Sequence, residues 1–197
     1  MEMAEADVLL DPAFTMPAVP DQVAGVGWIR SMVARFCDGG THTRRRALAE
    51  QVITRIGRPP RAGSPTGTLL TAMGLPPGLE DDVAAVAQVY QPYVPVPPEA
   101  DRAADRLVAA CGGRTEESAA QVCVLIQAHA ATLALIDRIQ TGNPAPPVPV
   151  TRRIGPDGRE VLVDLAAAPF GAGRHACPGQ ALARHLAGAP EVRGQGV

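Results

Sequence analysis

The sequence predicts a mainly α-helical domain with a long central helix and one small β-hairpin. Three observations carry that expectation. Hydrophobic residues make up 46% of the 197-residue chain but aromatic residues only 3%, so the core is built from Ala, Val and Leu, which suit packed helices better than a β-sandwich. The stretch from Thr115 to Gln140 is the longest helical pattern in the chain. The apolar period then changes to alternation between Val148 and Val163, around the turn Pro156-Asp157-Gly158. The length fits a single domain over residues 1–197.

Taken in order, residues 1–27 are punctuated by Pro and Gly and are expected to be largely irregular. A short helix is expected from Gly27 to about Phe36, followed by a turn at Asp38-Gly39-Gly40. A second helix begins at Thr41 and runs to about Ile56, with Leu48, Val52 and Ile56 spaced by four. Residues 57–67 form a loop. Thr68 to Met73 is a short helix stopped by Gly74 and Pro76-Pro77. Another runs from Glu80 to Tyr90, and Pro92 to Pro98 connects it to a helix ending at the Gly112-Gly113 cap. Thr115 caps the longest helix, with Glu116 and Glu117 in its first turn. At about 1.5 Å per residue that helix spans on the order of 39 Å, so it should be central and buried. Thr141-Gly142-Asn143-Pro144 stops it. The hairpin pairs Val148–Ile154 with Glu160–Val163, and Gln180 to Leu186 closes the pattern as a helix.

A formal net charge of −2 argues against nucleic acid as a partner. The clusters Arg44-Arg45-Arg46 and Arg152-Arg153 are local exceptions. Cys37, Cys111, Cys123 and Cys177 form no C-x-x-C pair, which argues against zinc and thioredoxin-like chemistry. No basic leader opens the chain and no apolar run approaches roughly 18 residues, so no membrane partner and a reducing, cytoplasmic setting are expected.

The most informative run is Phe170-Gly171-Ala172-Gly173-Arg174-His175-Ala176-Cys177-Pro178-Gly179, of the form F-G-x-G-x-H-x-C-x-G. The glycines permit a tight loop, and a cysteine just before a helix gains thiolate character from the dipole and nearby N–H groups. The plainer alternative is a Gly-rich turn with Cys177 a buried structural thiol. The run resembles the haem-ligand loop of the cytochrome P450 family, where the cysteine thiolate is the proximal ligand of the iron. The resemblance implies a reduced P450-like helical fold that holds haem b, with Cys177 as metal ligand and Phe170, His175 and Gly179 at the cofactor.

Other segments extend the resemblance. His42 and Arg46, four apart on one helix face, resemble the family's pair at the propionate edge. Arg153, or alternatively Arg152, resembles the strand arginine that reaches a propionate. Trp28 and Arg30 are weaker candidates for the same edge. The long helix resembles the distal helix that crosses the oxygen-binding face, and its Ala128-His129-Ala130-Ala131-Thr132 matches the pattern at Thr132. Ala131 replaces the acid and His129 the glycine. His129 and Thr132 share a face with Leu125 and Ile136. His129 is read as a distal acid–base group, a sixth ligand, or a histidine turned away to a backbone carbonyl. Thr132 is read as its catalytic companion or as a back-bonded helix hydroxyl.

The chain departs from the family in length, and no Glu-x-x-Arg helix lies between the long helix and the hairpin. Against the resembled family the segments that roof the pocket are reduced, which implies either a more open pocket or one completed by a second copy in a homodimer. Three functions follow: a haem-thiolate monooxygenase or peroxygenase acting on a small organic molecule, fed by a redox partner or by peroxide; a haem-binding sensor or non-oxidative haem enzyme; or a haem-free helical interaction protein.

Overall fold

A computed structural model describes residues 2–189. Seven α-helices and one three-stranded sheet are defined among them. The first strand, β1, spans Glu2–Ala4, and the first two helices are α1 (Gly25–Met32) and α2 (Gly39–Ile56). Then come α3 (Pro65–Ala72), α4 (Glu80–Gln88), α5 (Pro98–Ala110) and α6 (Glu116–Thr141). The chain closes with β2 (Val150–Ile154), β3 (Glu160–Asp164) and α7 (Gln180–Leu186). The fold class is the one expected, and the bounds of α6, the hairpin and α7 lie within two residues of the sequence reading.

The long helix starts and stops for local reasons. Thr115 Oγ1 accepts from the Ser118 N–H at 3.1 Å, and Gly142 ends the helix in the left-handed conformation. Val122, Leu125 and Ile126 are fully buried, and α1, α2, α3, α4, α5 and α7 all pack on this helix. By length and hydropathy α6 could cross a membrane, which the sequence reading did not find, but here it is the core that the other helices surround.

The surrounding helices are tied by charged side chains acting on backbone. Ala24, at the α1 cap, offers no side-chain acceptor. Asp105 and Asp101 of α5 supply it instead, accepting from the Gly25 N–H at 3.1 Å and the Val26 N–H at 2.9 Å. A Cβ on Gly25, whose φ is +63°, would sit 2.1 Å from the Asp101 carboxylate, so only glycine fits. Arg30 donates to the carbonyls of Val89, Tyr90, Gln91 and Val94, pinning the turn after α4. At the start of α6, Glu116 takes Arg44 in a bidentate pair at 2.8 Å and Arg45 at 2.9 Å, fastening α2 to α6.

Three elements differ from the sequence reading. α1 ends at Met32 and not near Phe36, because Val33 takes extended backbone before a separate single turn over Ala34–Phe36. α3 begins three residues earlier than expected because Ser64 Oγ accepts from the Gly67 N–H at 2.8 Å and Pro65 takes the first helical position. The N-terminal segment is mostly irregular but contributes β1, which runs parallel to β3 with Glu2 opposite Val161. The sheet order is β1-β3-β2, with β2 and β3 the antiparallel hairpin. Leu9, Val161, Val163 and Leu165 form a second, smaller core beneath it.

Two measurements check this account. Leu125→Ala should cost about 3 kcal/mol of unfolding free energy in chemical denaturation, whereas Leu133→Ala, at an exposed site on the same helix, should cost under about 0.5 kcal/mol. Arg44, with Arg45, pulls the Glu116 carboxyl down to about 2. A depressed carboxyl contributes stability above its ordinary pKa and loses it as pH falls through the folded value. Glu116→Gln should therefore flatten the acid loss of stability between about pH 4.5 and 2, by less than about 2 kcal/mol for a pair that water still reaches.

Candidate functional site

The Cys177 loop is built by three backbone contacts and one arginine. The Cys177 N–H donates to Phe170 O at 2.8 Å and the Gly171 N–H to Ala168 O at 2.7 Å. Gly173 has a φ of +63°, and a Cβ there would lie 2.4 Å from the Leu9 carbonyl, so the loop can approach the N-terminal segment only as glycine. Arg46 of α2 donates to the Ala176 carbonyl at 2.6 Å and pairs with Glu50 at 2.7 Å. The arginine expected at a cofactor edge thus holds the loop carbonyl next to the cysteine.

Asp38 holds the other side of the loop. It stands at the α2 cap position, yet its carboxylate does not cap the helix. Oδ2 accepts from the Met16 N–H at 2.7 Å, and Oδ1 accepts from Arg174 Nε at 3.0 Å and lies 3.0 Å from His175 Nε2. Burial works to raise its pKa, but the His175, Met16 and Arg174 hydrogen bonds outweigh it and hold the carboxyl below its ordinary value. Burial pushes His175 down to about 4 against the pull of Asp38, so this imidazole is neutral near pH 7. The His42 ring lies against it, tilted by 57° with the ring centres 4.2 Å apart, and burial lowers His42 as well.

Between this loop and α6 lies a cavity of about 270 Å³. Cys177, His175, His42, Arg46, Arg153, Phe170 and Gly179 all line it, so the structure brings together seven of the residues singled out from the sequence. Arg153 is buried, and its Nη1 bonds only to Thr151 Oγ1 and the Arg152 carbonyl. Desolvation, then the nearby Arg35 charge, bring it down to about 10. Arg152 instead pairs with Glu160 and lies over the Tyr93 ring, which settles the choice of strand arginine facing the cavity. The Cys177 thiol is open to the cavity; its pKa is raised by burial, with the Gly179 N–H and the Arg46 and Arg35 charges opposing.

His129 and Thr132 do not line the cavity. His129 Nδ1 lies 2.8 Å from Thr66 Oγ1, joining α6 to α3, and Thr132 is fully buried with its hydroxyl unpartnered. The α6 residues that line the cavity include Ala120, Cys123, Val124, Gln127, Ala128 and Ala131. Sequence reasoning missed Cys123, Gln127, Tyr90 and Arg35, which form a polar patch on this wall. Cys123 Sγ lies 3.4 Å from Tyr90 Oη and accepts from Gln127 Nε2 at 2.8 Å, and Gln127 Oε1 accepts from Arg35 at 3.1 Å. The i, i+4 spacing of Cys123 and Gln127 was the available signal.

No protein-family model and no curated protein matches the sequence. Solved structures do match, and they are cytochrome P450 enzymes: the fold is P450-like. P450BioI, solved in complex with an acyl carrier protein ligated to hexadec-9Z-enoic acid, superimposes with a TM-score of 0.68 at 16% identity, over 92% of this chain and 80% of that one. CxnD, the P450 enzyme for C–S bond formation in chuangxinmycin biosynthesis, superimposes with a TM-score of 0.53 at 15% identity, over 92% of this chain and 75% of that one.

Removing the Asp38 carboxylate leaves three donors without an acceptor. Asp38→Ala should cost about 3 kcal/mol in chemical denaturation, and the Met16 and Cys177 amides should exchange hydrogen faster than in the native chain. Unchanged exchange at both would mean the loop is held by other contacts.

Proposed function

We propose that this chain is a haem-thiolate oxidoreductase acting on a small organic molecule. The observation that carries the reading is Cys177: a thiol open to a largely apolar cavity that no acidic side chain lines among the described residues. The donor set fits an iron porphyrin. No cluster of three or more His, Cys, Asp or Glu among the described residues could hold a bare ion, so a metal at Cys177 must bring its own remaining ligands. A thiol kept protonated by burial becomes thiolate once a metal neutralises it. Arg153 has no carboxylate partner among the described residues and suits a propionate, with His42 beside it as a ring donor; the single N–H of neutral His175 is committed to Asp38.

When bound, the haem supplies the redox-active iron, and a cysteine thiolate pushes electron density toward it. The protein supplies the rest. Arg46 and Asp38 fix the loop, so Cys177 presents its sulfur without rearrangement. Ala120, Val124, Ala128 and Ala131 give an apolar wall that holds a small substrate and excludes water. Ala131 has no polar group, and the groups on that wall with O–H, S–H or N–H protons are those of Cys123, Tyr90, Gln127 and Arg35. Peroxide, which brings its own protons and electrons, suits such a wall as well as dioxygen fed by a redox partner. His129, bonded to Thr66 outside the cavity, is assigned no step in this reading. A reducing, cytoplasmic setting belongs to the same proposal.

The test is the spectrum of the haem-reconstituted protein. The ferrous carbonyl form should show the red-shifted Soret band of thiolate ligation, lost in Cys177→Ala and kept in Cys111→Ala. Absence of any Soret band after reconstitution would reject the reading. Substrate screening then starts from the two chemistries of the similar enzymes, a carrier-bound fatty acid and a precursor for C–S bond formation.

A further inference from the structure

Arg35 stands out when the charges around the cavity are paired off. Four arginines and two histidines line it, and no Asp or Glu does among the described residues. Arg45 is met by Glu116 and the Ser31 carbonyl, and Arg46 by Glu50 and the Ala176 carbonyl. Arg174, just outside the lining, is met by Asp38. Arg153 and Arg35 are left with no carboxylate among the described residues. Arg35 donates one hydrogen bond, to Gln127 Oε1, and lies 5.7 Å from the Phe36 ring centre. Its Nε is buried and has no partner. A buried guanidinium N–H without an acceptor carries the desolvation cost of a charged donor, and a ligand that supplies the acceptor removes that cost.

The geometry points to Arg35, aimed by Gln127 and acting alongside Arg153, as a carboxylate-binding residue for whatever occupies the cavity. The guanidinium is planar and offers parallel donors that match the two oxygens of a carboxylate. Gln127 supplies the orientation: it is fixed on α6 by its own bond to Cys123 Sγ at 2.8 Å, so the Arg35 head is held before a ligand arrives. Two carboxylates could fill the position, a haem propionate or the carboxylate of a substrate. The first alone rests on the haem reading above; the second does not.

The experiment separates them with two pairs of probes on native protein, Arg35→Gln and Gln127→Glu. The second variant gives Arg35 an internal carboxylate without removing a charge-bearing side chain, and it serves if Arg35→Gln fails to fold. Haem and haem dimethyl ester are titrated by Soret absorbance, and decanoate and 1-decanol are titrated into haem-free protein by calorimetry. If Arg35 holds a propionate, both variants weaken haem about tenfold and leave the dimethyl ester unchanged. If it holds a substrate carboxylate, haem affinity is unchanged and the native preference for decanoate over decanol, about tenfold, disappears. Variants that alter neither comparison would overturn the assignment. A decanoate preference lost in the variants, in a protein that takes up no haem, would keep this assignment and reject the haem reading.

Discussion

The carboxylate of Asp38 is where the site is assembled. It stands at the start of a helix, where its side chain would ordinarily cap the first turn, and reaches instead to three separate parts of the chain. One bond takes the N-terminal segment at Met16; the other two take Arg174 and His175, three and two residues before the cysteine. No Glu-x-x-Arg helix lies between the long helix and the hairpin. Here only residues 142–149 separate α6 from β2. Asp38, just before α2, and Arg46, within it, support the loop from its two sides. The same helix is fastened to α6 through Glu116, so loop, α2 and distal wall form one connected frame.

Much of this was legible in the sequence because it is local. Thr115 capping α6, Gly142 ending it, the Pro156-Asp157-Gly158 turn and the glycines of the Cys177 loop each act within a few residues. What was not legible depends on phase and distance. An Ala-rich helix packed on several sides has apolar residues on more than one stripe, so periodicity alone does not say which stripe faces the cavity. Chemical identity drew the reading to His129 and Thr132, whereas the wall is the stripe through Cys123 and Gln127. Asp38 reads in sequence as part of a Gly-rich turn, and its partners at Met16 and Arg174 lie too far along the chain for any local pattern to reveal.

The cavity also has an energetic asymmetry. Its walls are mostly apolar, yet Arg153 and Arg35 face it with no carboxylate partner among the described residues, and burial together with the Arg35 charge has moved Arg153 to about 10. Such a cluster disfavours the empty state, because each cation has lost water without gaining an anion. Occupation by a ligand with acidic groups relieves that strain and adds its binding free energy to folding. Function and stability are therefore coupled through the same few side chains.

The parallel pairing of β1 with β3 carries a consequence for how the chain is made. Glu2 meets Val161, so the first strand must wait for nearly the whole chain before it has a partner. Closing so long a loop costs entropy, and contacts of such sequence separation form late. Leu9 and Met16, which line the cavity, are positioned through that pairing and through Asp38. On the ribosome the helical core can assemble as it emerges, but the pocket stays unfinished until the hairpin and the Cys177 loop are both out. Any ligand of this cavity therefore meets a finished pocket only once the hairpin and the Cys177 loop have packed against the Leu9 and Met16 segment.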